Sequence, residues 1–347
     1  MIQATTEANP TAERLYEKLR SVSVGTSGPY TWERCVEMAP VVDEINRLKR
    51  EKNAVILVHY YVHPEITVGV GDFVGDSYKL AKDAKSTTAS VIVFAAVKFM
   101  AETAKCLNPE KDVLVPSKIN GCSLADAITA DQVRDLRRQF PEHTFVCYIN
   151  TSAAVKAACD VCVTSSNVYD IVQRIENDKI YFLPDKLMGE NLQDEMKRRG
   201  VKKDVQIYSA TCYVHQQYDP DRVVRLRQKY PGLKVLSHPE CSREVIAHAD
   251  HVASTKGMMQ YLRETDAEAY LLLTECGLAG RAQVEMPKKI FIGPCVECRY
   301  MKSNSLQDIL RVLRNPDSED RIEIDGEVRE GALRCINAMF RYAEMAG

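Results

Sequence analysis

The chain has 347 residues, of which 45% are hydrophobic and 27% charged, a composition typical of a globular protein with two or three domains. Lysine and arginine (46) nearly balance aspartate and glutamate (48), and no segment is long and apolar enough to span a bilayer, so we expect neither nucleic-acid nor membrane binding. The amino-terminal stretch lacks the basic start and apolar core of a secretory signal, which predicts a cytoplasmic protein. In that compartment the 12 cysteines indicate metal or redox chemistry rather than a disulfide framework.

In chain order, residues 1–40 are predicted to form an N-terminal helical arm, and three similar stretches of sequence follow. Each stretch contains a polar turn with a hydroxyl residue, and an aspartate lies five positions before it. The hydroxyl residues are 88 and 90 positions apart (165 − 77 and 255 − 165), and apolar runs follow each turn in the same frame. The hydroxyl residues are Ser77, Ser165 and Thr255, and the aspartates are Asp72, Asp160 and Asp250.

Each repeat is predicted to contain a buried strand, a helix, a short strand, the polar turn, a helix, a second buried strand, a helix and a last short strand. Strands that alternate with helices indicate parallel sheets, and continuous runs of valine, isoleucine and leucine are typical of strands covered on both faces. We therefore predict an α/β fold of three αβα domains related by a pseudo-threefold axis, at residues 41–140, 141–230 and 231–347. The last domain includes an amphipathic C-terminal helix that we expect to pack on a neighbouring domain. A single large doubly wound sheet is the alternative, and landmarks held in register through three repeats disfavour it.

A cysteine follows the last short strand of every repeat: Cys122, Cys212, and the pair Cys295 and Cys298. Equivalent positions in three domains converge near their common axis, so three thiolates are expected to meet and to bind a metal. A structural zinc site usually closes with four ligands, whereas a [4Fe–4S] cluster is held by cysteine thiolates. Held by only three, such a cluster leaves one iron open as a Lewis acid. This pattern favours a central iron–sulfur cluster on Cys122, Cys212 and Cys298.

Cys295 has two interpretations, because it could replace Cys298 as a ligand or pair with it as a thiol/disulfide switch. Cys159 and Cys162 form a CxxC pair, but "CDVCVTSS" is better interpreted as a strand that enters the polar turn. The remaining cysteines are expected to be small buried hydrophobic residues. They are Cys35, Cys106, Cys147, Cys241, Cys276 and Cys335.

The first strand of each repeat ends in two polar residues spaced i, i+2, which lie on the same side of a strand. Ligands of open parallel sheets bind beyond the carboxyl ends of the strands, so all six side chains are expected to face one cavity and to supply acids, bases and hydrogen-bond donors. Any one of the tyrosines alone would be interpreted as a half-buried core residue. The pairs are His59 and Tyr61, Tyr148 and Asn150, and His238 and Glu240.

The hydroxyl residues of the polar turns precede helices, and serine and threonine are good N-caps. A helix N-terminus also attracts anions through its free N–H groups and its partial positive charge. A single turn of this kind is interpreted as a helix cap only. Three equivalent turns around one axis indicate an anion-binding surface, suited to substrates that together carry two carboxylates and a phosphate.

An ordered series of motifs over residues 40–345 resembles the quinolinate synthase family. The motifs are "HYY..PEI" from His59, "GDS" from Gly75, "FMAETAK" from Phe99, "YINTSAAVKA.CD..VTSSN" from Tyr148, "PD..MG.NL" from Pro184, "CYVH" from Cys212, "HPEC" from His238, "TE.GL" from Thr274 and "C.YMK" from Cys298. Each motif alone is weak, but their order makes the resemblance specific.

The resemblance implies an enzyme that condenses iminoaspartate with dihydroxyacetone phosphate to quinolinate, with loss of phosphate and two waters, for de novo NAD biosynthesis. It implies three αβα domains around a central [4Fe–4S] cluster, with Cys122, Cys212 and Cys298 as ligands, and a functional link to L-aspartate oxidase or aspartate dehydrogenase. Tyr61 and Glu240 would be the acid/base groups, with His59 and Tyr148 as further catalytic residues. The implied substrate-binding residues are Ser77, Asn150, Ser165, His215, His238, Ser254 and Thr255.

The chain departs from the family pattern at two places. Val62 and His63 follow "HYY", where the family often has glutamine, so that His63 is expected either near the site or on a surface loop. Some members carry CxxCxxC near the C-terminus, and here only Cys295 and Cys298 remain, so Cys298 is assigned as the ligand from the following "RYMK". Two other functions compete with this one. They are another iron–sulfur hydro-lyase with a small anionic substrate, and a non-enzymatic iron or redox sensor.

Overall fold

A computed structural model describes residues 9–25 and 28–345 of the chain. The chain begins with helix α1 (Pro10–Leu19), which the side chain of Asn9 caps, and helix α2 (Trp32–Glu51). Helix α2 runs through Pro40, so the predicted N-terminal arm continues without a break into the segment predicted as the first domain. The other arm residues, 1–8, 26 and 27, lie outside the described ranges.

The first sheet consists of four parallel strands in the order β2-β1-β3-β4. Its strands are β1 (Ala54–His59), β2 (Phe73–Gly75), β3 (Val91–Ala95) and β4 (Asp112–Leu114). The helices that accompany it are α3 (Pro64–Gly69), α4 (Ser77–Ser86), α5 (Lys98–Leu107) and α6 (Ala130–Gln139), with a 3-10 turn at Ala125–Ala127.

The second sheet repeats this topology in the order β6-β5-β7-β8, again with parallel pairing throughout. Its strands are β5 (Thr144–Tyr148), β6 (Val161–Val163), β7 (Lys179–Leu183) and β8 (Asp204–Ile207). The helices are α7 (Ala153–Ala157), α8 (Val168–Arg174), α9 (Lys186–Arg198) and α10 (Pro220–Lys229), with a 3-10 turn at His215–Gln217.

The third sheet contains three parallel strands in the order β10-β9-β11. They are β9 (Leu233–Ser237), β10 (His251–Val252) and β11 (Ala269–Leu273). The helices are α11 (Arg243–Ile246), α12 (Thr255–Glu264), α13 (Gly277–Glu285), α14 (Arg299–Lys302), α15 (Leu306–Arg314) and α16 (Gly326–Glu344), with a 3-10 turn at Ser318–Asp320. Three small parallel sheets with crossover helices confirm the predicted α/β class.

The last strand predicted for the third repeat is wrong. The segment forms a single parallel bridge between Tyr270 and Phe291. Gly293 then adopts a φ of +113°, which side chains other than glycine rarely tolerate, and Pro294 has no N–H to donate to a neighbouring strand. These two residues turn the chain away before a strand can form.

Helix α16 packs against α7 and β6 of the second sheet, as its amphipathic spacing predicts. The approach is close, because a Cβ atom added to Gly331 would lie 2.7 Å from the Cβ atom of Ala157. The buried strands are apolar on both faces, and every residue of β11 is buried. None of the helices within the described ranges has the length and apolarity needed to cross a membrane.

The three aspartates found by the repeat analysis occupy equivalent positions. Each carboxylate accepts a hydrogen bond from a backbone N–H of the first strand of its own sheet and pairs with a basic side chain. The N–H distances are 2.8 Å for Asp72 and Ile56, 2.8 Å for Asp160 and Phe145, and 2.7 Å for Asp250 and Val235. The basic partners are Lys49, Arg137 and Arg227. The aspartates therefore join the first strand to the start of the second strand of each repeat.

Asp250→Ala should destabilise the chain by about 1–3 kcal/mol, because it leaves the buried N–H of Val235 without its acceptor. Urea unfolding of purified protein measures this change. The matched control is Asp135→Ala, which removes only an exposed i, i+3 ion pair with Arg138 and should cost less than about 1 kcal/mol. Equal losses in the two variants would contradict the structural role of Asp250.

Candidate active site

Side chains from all three sheets line one cavity of about 740 Å³, a volume that includes the solvent at its mouth. The cavity lies beyond the carboxyl ends of β1, β5 and β9, where the i, i+2 pairs were expected to converge. All the predicted site residues except Ser254 line it. They are His59, Tyr61, Ser77, Cys122, Tyr148, Asn150, Ser165, Cys212, His215, His238, Glu240, Thr255 and Cys298.

The three cysteines of the cavity start equivalent helical turns. The carbonyl of each accepts a hydrogen bond from the N–H four residues later, at distances of 2.9, 3.1 and 2.9 Å for Cys122, Cys212 and Cys298. All three thiols are half-buried, and within the described residues no other cysteine lines this cavity.

Residues next to these cysteines contact one another directly. The backbone N–H of Tyr213 lies 3.4 Å from the hydroxyl of Ser123, which joins the turns of Cys122 and Cys212. The Tyr213 hydroxyl accepts a 2.7 Å hydrogen bond from the backbone N–H of Arg299, which joins the turn of Cys212 to that of Cys298. The three turns therefore meet at one place in the cavity wall.

Burial raises the pKa of the Cys122 thiol to about 12, and it also raises the pKa values of Cys212 and Cys298. The negative charges of Cys298 and Glu240 act in the same direction on Cys122. Three thiolates beside a carboxylate are unfavourable in this cavity unless a cation compensates them. The donor set and its charge thus fit a cationic metal centre.

A chain of hydrogen-bonding groups crosses the cavity beside the cysteines. The Tyr61 hydroxyl lies 2.6 Å from Oγ1 of Thr274, which lies 3.1 Å from Nε2 of His215. Nδ1 of His215 lies 3.1 Å from Oε2 of Glu240, and the Tyr148 hydroxyl donates a 2.6 Å hydrogen bond to Oε1 of the same carboxylate. All five side chains are buried away from bulk water, and Nδ1 of His215 and Oε2 of Glu240 face each other in this row without a hydrogen bond.

The environment sets the protonation of these groups. Burial raises the pKa values of the Tyr61 and Tyr148 phenols, and the Glu240 carboxylate adds to the effect, so both phenols are proton donors near neutral pH. Burial also raises the pKa of Glu240, but the neighbouring His215, His238 and Tyr148 outweigh it and keep the carboxyl ionised. Mainly through burial, the pKa values of His59 and His238 fall to about 3, which makes both imidazoles neutral.

The helix-cap interpretation of the three turn hydroxyls is wrong in position. Asp76 caps α4 by accepting a 2.8 Å hydrogen bond from the N–H of Lys79, and Ser254 caps α12 by accepting one of 3.3 Å from the N–H of Gly257. Ser77 and Thr255 are the first helical residues instead, because only the preceding residue has the extended backbone that capping requires. Their side chains line the cavity beside the two helix N-termini.

The third turn differs from the other two. Ser165 lies two residues before Asn167, the N-cap residue of the short helix α8, and it also lines the cavity. Ser254 does not line this cavity and contributes instead to a neighbouring surface depression that Ser165 shares.

Comparison with known proteins identifies the family. The family model described as NadA, quinolinate synthetase A protein, matches residues 43–341. The chain is 42% identical over 331 residues to quinolinate synthase 2 of Mesorhizobium japonicum, covering 94% of this chain and 98% of the relative. It is 41% identical over 307 residues to the quinolinate synthase of Caulobacter vibrioides strain NA1000 / CB15N, covering 87% and 81%. The chain belongs to the quinolinate synthase family. Alkaliphilus metalliredigens has a further member, 40% identical over 301 residues that cover 86% of this chain and 97% of the relative.

Glu275 and Lys302 lie within quinolinate synthase motifs, but the motifs alone indicate no role for them. Oε1 of the buried Glu275 accepts a 3.1 Å hydrogen bond from the N–H of Cys298 and lies 3.1 Å from Nζ of Lys302. Nζ of Lys302 also donates to the carbonyl of Tyr61. A Cβ atom added to Gly277 would lie 2.5 Å from that carbonyl, so the contact requires glycine. These residues join the Cys298 turn to the Tyr61 loop.

His63 belongs to the same contact. It is half-buried, and its Nε2 lies 3.0 Å from the carbonyl of Lys302. Thr274, directly after β11, is a further residue that was given no role from the sequence. Its position just past a buried strand, as for the i, i+2 pairs, was the signal that could have identified it.

Cys276 was expected to be a small buried hydrophobic residue, and Cys295 was expected to replace Cys298 as a ligand or to pair with it. Both predictions are wrong. Cys295 forms a disulfide with Cys276, at a Cα–Cα distance of 5.0 Å, and it is neither a ligand beside Cys298 nor its disulfide partner. The bridge between Tyr270 and Phe291 aligns the loop after it with the end of β11, and this alignment places Cys295 next to Cys276. Cys159 and Cys162 are buried free thiols, as expected for a strand that enters a turn.

Proposed function

We propose that the cavity condenses iminoaspartate with dihydroxyacetone phosphate to quinolinate, with loss of phosphate and two waters, at a [4Fe–4S] cluster held by Cys122, Cys212 and Cys298. Membership of the quinolinate synthase family supports the overall reaction. The observation that carries the proposal is the convergence of one cysteine turn from each repeat on a cavity that also contains Tyr61 and Glu240.

Three cysteines in this cavity would leave one iron of the cluster without a protein ligand. Such an iron supplies Lewis-acid chemistry toward a hydroxyl or carboxylate oxygen when the cluster is bound. The N–H groups of Leu124, Ala125 and His215 favour the thiolate forms of Cys122 and Cys212 and suit the stabilisation of cluster sulfurs.

The protein groups would move the protons. Glu240, ionised and held by the Tyr148 hydroxyl, is placed to accept a proton at Oε2. Tyr61, protonated and connected through Thr274 to His215, is placed to donate one at its hydroxyl. An acid and a base at the two ends of one row of buried polar groups suit a reaction that alternates proton removal with loss of water.

The anionic groups of the substrates would bind at the helix N-termini. Ser77 begins α4 and Thr255 begins α12, so that each offers a hydroxyl beside free backbone N–H groups. Ser165 and Asn150 line the same wall from the second repeat, and the neutral His59 and His238 add donors or acceptors without adding charge. We propose that Ser254 acts indirectly, by capping α12.

Family membership supports this function over the two competing functions. The CxxC pair that suggested a redox sensor is buried and lies away from the cavity lining. A cytoplasmic location and a functional link to L-aspartate oxidase or aspartate dehydrogenase stay predictions from the sequence.

Cys212→Ala should abolish both the bound cluster and quinolinate formation. The experiment uses anaerobically purified protein, with iron and sulfide analysis and an assay that contains iminoaspartate and dihydroxyacetone phosphate. Cys106→Ala is the matched control, since this thiol is buried outside the cavity lining. A Cys212→Ala protein with the full iron content of the unchanged chain would refute the ligand assignment.

Tyr61→Phe and Glu240→Gln should keep the cluster and lose turnover by about 100- to 10,000-fold, because proton transfer by a positioned group contributes on this order. Steady-state rates, measured beside the visible spectrum of the cluster, test this expectation. Tyr60→Phe serves as the control, because Tyr60 is buried but does not line the cavity. Near-full turnover in either site variant would remove that residue from the acid/base assignment.

Thr255→Ala should weaken binding of dihydroxyacetone phosphate by about tenfold to 150-fold, since a hydrogen bond to a charged group is worth roughly 1.5–3 kcal/mol. Ser254→Ala should instead cost about 1 kcal/mol of stability through the lost cap and leave the affinity near its original value. Binding isotherms and thermal unfolding of both variants separate the two roles. The anion-binding role of Thr255 would be lost if its affinity stayed unchanged.

A further inference from the structure

Three potential metal ligands lie together at one side of the cavity. A ligand atom of Cys212, one of His215 and one of Glu240 all lie within 4.8 Å of one another. Cys212 and His215 are three residues apart on one helical turn, and Glu240 approaches from the segment that follows β9. His215 and Glu240 are each 3% exposed, so the site is built from buried groups.

Two of these groups have polar atoms that nothing in the described part of the chain satisfies. Nδ1 of His215 and Oε2 of Glu240 are buried and make no hydrogen bond, although they lie only 3.1 Å apart. A proton or a cation must lie between these two atoms, because two lone pairs that face each other at this distance would repel. Buried polar atoms without partners are uncommon in proteins, and these two point to a ligand that accepts electron pairs.

The second atom of each group is already held. Nε2 of His215 faces Oγ1 of Thr274 at 3.1 Å, and Oε1 of Glu240 accepts the Tyr148 hydrogen bond. If Nε2 carries the imidazole proton, Nδ1 presents a lone pair. Hydrogen bonds of this kind, to the atom of a histidine or carboxylate that does not face the metal, orient such ligands at metal sites.

We propose that, in protein that lacks the cluster, Cys212, His215 and Glu240 bind one zinc-like divalent cation. A thiolate, an imidazole and a carboxylate form the mixed donor set that Zn²⁺ accepts, with the fourth position left open. The thiolate and the carboxylate together neutralise the two positive charges, which favours binding in a buried place. The thiol of Cys212 loses its proton to solvent when the cation binds.

The cation and the cluster exclude each other, because both require the sulfur of Cys212. This second part rests on the proposed function, whereas the cation site itself rests on the geometry of the three side chains. Zinc bound here would use the sulfur of Cys212, which the cluster needs, and would therefore prevent cluster assembly. It would also occupy the Glu240 carboxylate. Zinc would thus act as a competitor during maturation of the enzyme.

The test uses the full chain, purified anaerobically and stripped of iron with a chelator. Co²⁺ titration should give one ion per chain, with tetrahedral cobalt bands and a thiolate-to-cobalt charge-transfer band, and Zn²⁺ should displace it. Cys212→Ser should remove the charge-transfer band, and His215→Gln and Glu240→Gln should each weaken Co²⁺ binding at least about tenfold. Thr274→Val, which removes only the partner of Nε2, should weaken binding by about 10- to 100-fold.

Cys122→Ser and Cys298→Ser are the controls that separate this site from the cluster. Both variants should lose the cluster and yet bind Co²⁺ with the affinity of the unchanged chain. The cation site is overturned if His215→Gln and Glu240→Gln bind Co²⁺ as well as the unchanged chain, or if Co²⁺ binding also requires Cys122 and Cys298. Mutual exclusion is overturned if zinc-loaded protein takes up full iron and sulfide and keeps its zinc.

Discussion

In each of the three sheets the first strand, β1, β5 or β9, lies beside parallel neighbours whose carboxyl ends meet at the same edge. Because parallel strands need crossover helices, the loops at this edge lead from strands into helix N-termini and carry the polar residues. An aspartate carboxylate anchors the start of the second strand to the first strand in every repeat. Three such edges that face one cavity bring together residues separated by about 90 positions in the chain.

The cavity combines buried titratable side chains, and burying any one of them without the others would be energetically unfavourable. A buried carboxylate, Glu240, is tolerated because Tyr148 donates to it and His215 and His238 lie beside it. The two histidines stack with ring centroids 4.7 Å apart, and burial keeps His238 neutral. Burial raises the pKa values of the three thiols, so that their thiolate forms would need a compensating positive charge. The proposed cluster would supply that charge, and the proposed zinc-like cation on Cys212, His215 and Glu240 would compete with it.

Features that repeat at regular spacings in the sequence were predicted correctly. Apolar runs, the i, i+2 pairs and one cysteine per repeat led to three parallel sheets and to most of the predicted site residues that line the cavity, because strand ends follow directly from the pattern. Helix caps were misplaced by one residue at Ser77 and Thr255, since the choice between neighbouring polar residues depends on backbone angles. The roles of individual residues, as opposed to their places, stay predictions.

Contacts between residues that are distant in the sequence could not be predicted from the sequence. The disulfide of Cys276 and Cys295 depends on a single bridge that sets how a loop passes the end of β11. Glu275 acts through the N–H of Cys298 and through Lys302, and no spacing along the chain encodes that contact. Thr274 has a role only because Tyr61 and His215, from two other repeats, both reach its hydroxyl.

We propose that one cysteine from each repeat holds a four-iron cluster with one iron left open to substrate. Mössbauer spectroscopy of anaerobic protein reconstituted with ⁵⁷Fe tests this arrangement most directly. We expect one iron in four to have its own spectral signature, and a change confined to that iron when substrate is added. Four irons with the signature of complete cysteine ligation, unchanged by substrate, would contradict it.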